Sequence, residues 1–394
     1  MTFIVAALGY FVDIYDLLLF GVVRIESLRG IGIADEQLLD SGVLLINYQM
    51  AGMLVGGLFW GVLADRKGRT VVLMASILIY SLANLANAFV DSIATYAICR
   101  FVAGLGLSGE VGSAVTLISE SAKANTRTLW TTLLTAFGLL GAVTAGFVGD
   151  YFTWQVAYLV GGSMGLVLLL LRFQVLESSI FNKSSVENRG RIDLLVRSKE
   201  RFGRYSACVL LGVPIWFTAG ILMTFAPELT EAIGYSEVIS ASHALLYCYS
   251  GLFIGDLLCG LMSHWVKSRR FALAAFLALN GALTVVYLSM PAMSSNAFYM
   301  LCGVLGLSAG YWSVYITLVS ESFGTNIRAT AVTTVTNCMR GSVVLMTSGI
   351  QALSSFLTLP QSALLIGILV LLAAVFSLIY LSETFGKKLD YTEC

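Results

Sequence analysis

Thr116-Leu117-Ile118-Ser119-Glu120-Ser121, followed by Asn125 and Arg127, closes one apolar stretch of this chain. Thr317-Leu318-Val319-Ser320-Glu321-Ser322, followed by Asn326 and Arg328, closes another at a constant shift of 201 positions. In a chain of 394 residues, a repeat at half the length marks two halves of one architecture rather than an array of small repeats. Gly61-Val62-Leu63-Ala64-Asp65-Arg66-Lys67-Gly68-Arg69 has a fainter second copy in Gly260-Leu261-Met262-Ser263-His264, shifted by 199.

Composition names the solvent of these halves. Hydrophobic residues make up 58% and charged residues 12%, about half the charged share of an ordinary soluble domain. Roughly half of any folded surface must face something, so a soluble fold could not keep this much apolar surface dry. Apolar runs of about 20 residues, enough to cross ~30 Å of hydrocarbon as helix, recur near 3–24, 39–63, 71–90, 93–119, 129–149, 155–176, 206–228, 241–263, 272–290, 296–319, 330–354 and 361–382. Duplicated halves in such a chain are what secondary transporters are made of. A formal net charge of zero speaks against a nucleic-acid partner. The first run holds Asp13 and Asp16 and lacks a basic leader, so it reads as a span with a minimal leader rather than a cleavable signal. The seven cysteines show no metal-ligand spacing, and all but Cys394 lie inside apolar runs, where they read as small packing residues.

Lys and Arg give the orientation. Loops at 64–70, 121–128, 177–205, 264–271, 321–329 and 383–394 carry 18 of the 23 basic residues. Basic loops stay in the cytoplasm, so both termini are expected there, in a bacterial-type inner membrane. The long basic connection reads as a linker, which divides the chain into 1–181, a linker at 182–205, and 206–394.

Gly61-x-x-x-Asp65-Arg66-x-Gly68-Arg69 sits between the second and third spans. Its glycines allow a tight turn and close backbone approach. An acid beside a helix start stabilises the positive dipole end, and Arg69 can bridge to carboxylates in neighbouring loops. Such contacts suit a breakable latch, whereas basic topology residues alone would not explain the glycine–aspartate spacing. The pairs Glu120/Arg127 and Glu321/Arg328 straddle the same ends of two equivalent spans. With Arg69 and Lys267-Ser268-Arg269-Arg270 they are expected to build a charge network. The second loop copy carries His264 in place of Asp65, so the latch is expected to be asymmetric.

These signatures, with Arg100-x3-Gly104-x4-Gly109-Glu110, resemble those of the major facilitator superfamily. Val12-Asp13-Ile14-Tyr15-Asp16 is similar to the acid element of its metabolite:proton symporters, in the branch that also holds sugar- and phosphate-porter-like members. Trp154 and Glu177-Ser178-Ser179-Ile180-Phe181 resemble the sixth span and its exit in the same group. The resemblance covers nearly the whole chain. It implies an all-α polytopic membrane protein, with twelve transmembrane helices in two pseudo-symmetric six-helix bundles around a cavity that opens alternately to each side. The seventh span has Trp216 followed by Gly220 where the phosphate symporters would have an acid, which weighs against phosphate.

Charges inside spans are costly, roughly 2.5–3.5 kcal/mol each on insertion scales, so each needs a reason. Asp13 and Asp16 lie three apart on one helical face, and a buried acid can load a proton on one side and release it on the other. A structural pair with Arg24 or a neighbouring helix is the alternative. Glu110 and Asp256 are secondary proton-coupling candidates, each also a possible partner of Arg340. Arg340 presents a guanidinium fork matched to carboxylate or phosphate, with neutralisation of a buried aspartate as its alternative role. Arg24, Tyr15, Gln49, Trp216, Tyr311, Tyr315 and Asn337 complete the expected substrate set, while Asp65, Arg69, Glu120, Arg127, Glu321 and Arg328 are expected to gate.

The reading is a monomeric proton-coupled symporter of a small polar metabolite, an organic anion, needing no cofactor or metal. Two alternatives stay open. Proton-coupled efflux of amphipathic or cationic compounds would appear as uptake into inverted vesicles. A non-transporting receptor would bind without accumulation. No enzyme is expected, an enzyme being the least favoured of these readings: the two histidines, His243 and His264, sit in no nucleophile or metal constellation.

Overall fold

The computed structural model describes residues 2–121, 127–172, 195, 197–387 and 391–393, with side chains for all of these except 2, 119–121 and 127–129. The Glu177–Phe181 exit and most of the expected linker lie outside the described residues, as do the side chains of Glu120 and Arg127.

Among the described residues the chain crosses back and forth twelve times. The crossings are α1 (Thr2–Gly30), α2 (Leu38–Lys67), α3 (Arg69–Asn87), α4 (Ile93–Leu107, resuming as Glu110–Ser121), α5 (Arg127–Tyr151) and α6 (Trp154–Arg172). They continue with α7 (Lys199–Phe217, then a π-helical turn Thr218–Met223 and Ala226–Ile233), α8 (Ala241–Val266) and α9 (Arg269–Ser289). The last three are α10 (Ser295–Ala309, resuming as Trp312–Ser322), α11 (Arg328–Leu353) and α12 (Leu359–Tyr380). Helix α7 begins at Lys199, inside the stretch read as linker. Eleven of the crossings are long and apolar enough to span a membrane on hydropathy alone. The twelfth, α11, carries Thr330, Thr333, Thr334, Thr336, Asn337 and Arg340, all buried. Its polar groups face protein, so it need not look like a lipid-facing span.

The duplication shows in the backbone. Helices α4 and α10 break at equivalent positions, around Gly109 and Gly310, and both second pieces end in the duplicated Glu-Ser element. Irregular backbone at membrane depth is tolerated where protein covers it, and both breaks are buried. The same glycine register packs each broken helix. A Cβ on Gly52 of α2 would strike the Phe101 carbonyl of α4, and one on Gly251 of α8 would strike the Gly303 carbonyl of α10. The next pair on α2 serves a different neighbour: Gly57 lies against Asn337 and Gly61 against Thr330. Close packing of small residues thus joins helices within a half and across the two halves.

Candidate functional site

Two layers of contact hold the halves together, with a small cavity between them. On the face of the loop motif, Asp65 Oδ2 accepts the Thr330 backbone N–H at 2.7 Å and its hydroxyl at 2.6 Å. Thr330 is in the first turn of α11, so the carboxylate meets the positive end of that helix. Arg69 Nη2 stands 3.2 Å from the other Asp65 oxygen. In the second half, Arg269 holds both oxygens of Glu321, at 2.7 and 2.8 Å. Arg328 Nε donates to the Ser320 carbonyl at 3.1 Å. His264 is exposed, so the aspartate-to-helix lock is built on the first copy. Asn337 adds a bridge, donating to the Ser108 carbonyl at 2.8 Å.

On the opposite face, Arg24 donates to Glu228 at 2.7 Å and to the Thr224 carbonyl at 3.2 Å, and lies 4.8 Å from the Phe225 ring centroid. Arg24 therefore ties α1 to the end of α7, away from the central cavity. Above it opens a vestibule of about 1100 Å³, lined by Glu26, Asp35, Glu36, Asp150, Glu228 and Glu231, with Arg29 as counter-charge.

Between the layers, Tyr10 and Ile14 of α1, Leu139 of α5, Ile215 and Trp216 of α7, Tyr249 and Leu252 of α8, Trp312 of α10 and Arg340 of α11 enclose about 30 Å³. That is roughly the space of one water molecule, so this is a closed state whose aromatic walls must part to admit a ligand. Arg340 is 1% exposed and lies 5.5 Å from the Trp216 ring centroid. One of its nitrogens is 4.0 Å from Asp13. Among the described residues, Arg340 Nε and Nη1 and both Asp13 oxygens have no hydrogen-bond partner. Unmet buried groups of this kind each cost about 1–3 kcal/mol.

Several expected partnerships differ. Arg340 faces Asp13, whereas Glu110 is forked onto Arg172, whose Nη1 also reaches the Leu73 carbonyl at 2.7 Å. Gly9 makes room for that pair: a Cβ there would strike both side chains. Asp256 takes Ser313 N–H at 2.7 Å and the Thr135 hydroxyl at 2.6 Å. Asp16 shares a helix face with Asp13 but points into the first half, against Gly161 of α6. Arg100 binds Asn84 at 2.8 Å and Gln49 at 3.4 Å. Tyr15 donates to the Ala157 carbonyl, Tyr311 to Leu211 and Tyr315 to Cys208. Of the expected substrate set, Arg340 and Trp216 line the cavity.

Tyr249, Trp312, Arg172 and Glu228 escaped the sequence reading. For Trp312 a signal existed: the shift of 201 that aligns the motifs also aligns Gly109 with Gly310, which marks the helix start after it.

Twelve crossings in two equivalent halves, closing on a buried polar site from both faces, define a secondary transporter rather than an enzyme. The chain belongs to the Major Facilitator Superfamily, whose profile matches residues 6–348. It is 30% identical over 328 residues to the niacin transporter NiaP of Acinetobacter baylyi, covering 72% of each chain. It is 27% identical over 313 residues to the 3-(3-hydroxy-phenyl)propionate transporter of Escherichia coli, covering 77% of this chain and 75% of that one. The fold matches the solved proton:xylose symporter XylE with a TM-score of 0.73 at 18% identity, over 99% of this chain and 97% of that one.

Proposed function

We propose that the protein is a monomeric proton-coupled symporter of a small aromatic monocarboxylate, with the loop-motif face and both termini in the cytoplasm of a bacterial inner membrane. The observation that carries this is the buried Arg340 fork, open at two nitrogens inside an aromatic cage and 4.0 Å from Asp13. A guanidinium fork matches a carboxylate, and the cage of Tyr10, Trp216, Tyr249 and Trp312 offers ring faces to a planar body. Relatives named as transporters of niacin and of 3-(3-hydroxy-phenyl)propionate fit that chemistry. The basic-loop bias supports the orientation.

Charge balance supplies the coupling. Ionised Asp13 beside Arg340 makes a neutral empty site. A proton on Asp13 releases the arginine to take the substrate carboxylate, and the loaded site is neutral again. A site carrying only one of the two would hold a net buried charge, which costs several kcal/mol. The empty and doubly loaded forms therefore reorient, and the half-loaded forms do not. Substrate binds the occluded state better than either open state, because a ligand shifts only what it binds differentially.

The test is uptake of labelled nicotinate, 4-hydroxybenzoate and 3-(3-hydroxyphenyl)propionate into proteoliposomes under an inward proton gradient. Accumulation is expected for the parent. Arg340→Met should abolish binding and uptake together, while Asp13→Asn should lose gradient-driven accumulation but keep counterflow exchange. Accumulation by Asp13→Asn equal to that of the parent would refute the coupling. One observation favours a second reading, cation export: six acids line the vestibule. Gradient-driven export of an organic cation, with no carboxylate uptake, would establish it instead.

A further inference from the structure

Asp256 is fully buried on α8, and among the described residues dipoles rather than a cation answer its charge. Its Oδ1 accepts the Ser313 N–H at 2.7 Å, in the first turn of the half-helix Trp312–Ser322. Its Oδ2 accepts the Thr135 hydroxyl of α5, in the other half of the molecule, at 2.6 Å. One turn earlier on α5, Thr132 donates to the Ser313 hydroxyl at 3.1 Å. The approach depends on the break in α10: a Cβ on Gly310 would stand 2.6 Å from the Asp256 backbone nitrogen. Three elements therefore meet at one carboxylate. All three also wall the cavity, α5 through Leu139, α8 through Leu252 and α10 through Trp312.

The geometry points to Asp256 as a positioning residue of the transport cycle, an inter-half clasp that holds the α5–α8 seam shut and releases when the loop-motif face opens. The role differs from that of Asp13. Among the described residues Asp13 has no donor on either oxygen, and it stands beside the substrate fork. Asp256 has a donor on each oxygen and ties its own half-helix to the opposite half. A hydrogen bond to an ionised group in a dry seam is one of the stronger kinds. It is also lost outright when the two surfaces separate, because Thr135 leaves with α5 while Ser313 stays. The clasp complements the Asp65–Thr330 lock on the α2–α11 seam, so both long seams between the halves carry a carboxylate meeting a helix start. The inference rests on the alternating-access reading given above, not on its substrate.

Hydrogen exchange in the full chain, held in lipid nanodiscs without ligand, tests it. Thr135→Val removes the hydroxyl at constant shape, and Thr135→Ser keeps it. In the peptide covering 310–318, exchange is expected to run about tenfold faster in Thr135→Val, the scale of losing a charge-assisted hydrogen bond. Thr135→Ser should stay within about twofold of the parent, the margin set by a retained hydroxyl. Thr132→Val should give a smaller acceleration, because it removes only a neutral hydroxyl pair. Unchanged exchange in Thr135→Val would overturn the clasp, and so would a Thr135→Ser rate as fast as that of Thr135→Val. Because no ligand is present, failure of the carboxylate reading leaves this outcome standing, and failure here leaves the assignment of the cavity standing.

Discussion

Asp65 in the first half caps the start of α11 in the second, through the Thr330 N–H at 2.7 Å and the Thr330 hydroxyl at 2.6 Å. A helix cap is ordinarily supplied by the residue just before the helix. Here the cap comes from another helix in the opposite half, so the energy of capping becomes energy of closing the loop-motif face. Gly61, with its carbonyl 3.2 Å from the Thr330 hydroxyl, lets the two backbones come close enough for this.

Asp65→Ala should therefore cost more than the roughly 1–2 kcal/mol of a lost cap, because it also removes the carboxylate beside the buried Arg69, and should raise labelling of the seam from the loop-motif side. Thr330→Val keeps the backbone N–H contact and should cost less. Thermal unfolding of both variants in one detergent checks the order, and a greater loss in Thr330→Val would refute the cap.

Glu110 and Arg172 form a closed buried pair beside Gly9. Breaking such a pair from one side leaves an unbalanced charge and costs about 3–5 kcal/mol. Glu110→Gln should sharply reduce yield and thermal stability, and the double variant Glu110→Gln/Arg172→Met should recover most of the loss. Uptake by the recovered double variant then separates two roles. Restored accumulation makes the pair structural, and lost accumulation in a stable protein places Glu110 on the proton path.

Arg24 and Glu228 close the face opposite the motif loops. Glu228→Gln should shift the population toward opening on that face, the reverse of Asp65→Ala. A Leu39→Cys reporter lines the vestibule and should react faster with an impermeant thiol reagent in Glu228→Gln and slower in Asp65→Ala. The combined variant should return to near the parent rate. Shifts of the same sign in both single variants would show that the two contacts do not oppose each other.

Glu383, beyond the last span, fastens α9. It takes the Ser268 hydroxyl at 2.6 Å and the N–H groups of Arg269 and Arg270 at 3.1 and 3.2 Å. Partial burial alone would raise its carboxyl, but the hydrogen bonds from Ser268 and the backbone of Phe385, Arg269 and Arg270 outweigh it and hold the group below the ordinary glutamate range. A depressed group contributes stability that is present above its unfolded value, ~4.3, and fades as pH falls through the folded one. Thermal stability should thus fall as the medium is acidified below about pH 4, and Glu383→Gln should flatten that part of the profile. A profile identical in both proteins would remove Glu383 from the acid response.

The duplication and the number of crossings were legible in the residues, whereas 330–354 reads as one more apolar run and α11 turns out to carry a buried row of Thr, Asn and Arg. The asymmetry of the motif was legible too, since His264 cannot supply the carboxylate that Asp65 sets against a helix start. The inventory of buried charges was legible as well, because hydrocarbon makes every Asp, Glu and Arg within a span conspicuous. Their pairing was not. Arg340 was weighed against Glu110 and Asp256 and met Asp13, while Arg24 was read as a substrate ligand and met Glu228. Tyr15, Tyr311 and Tyr315 looked like cavity residues and instead donate to backbone carbonyls inside their own halves.

By itself, then, the sequence determined that this chain crosses a membrane in two equivalent halves, and which of its charges must be explained. Helical periodicity fixes the face a side chain takes on its own helix, and lipid fixes which runs become helices. Only the tertiary structure decided which faces meet, because that depends on how glycine-lined surfaces such as Gly57 on Asn337 and Gly112 on Thr333 bring helices from opposite halves into register. A buried charge takes its meaning from whatever that packing places within a few ångströms of it.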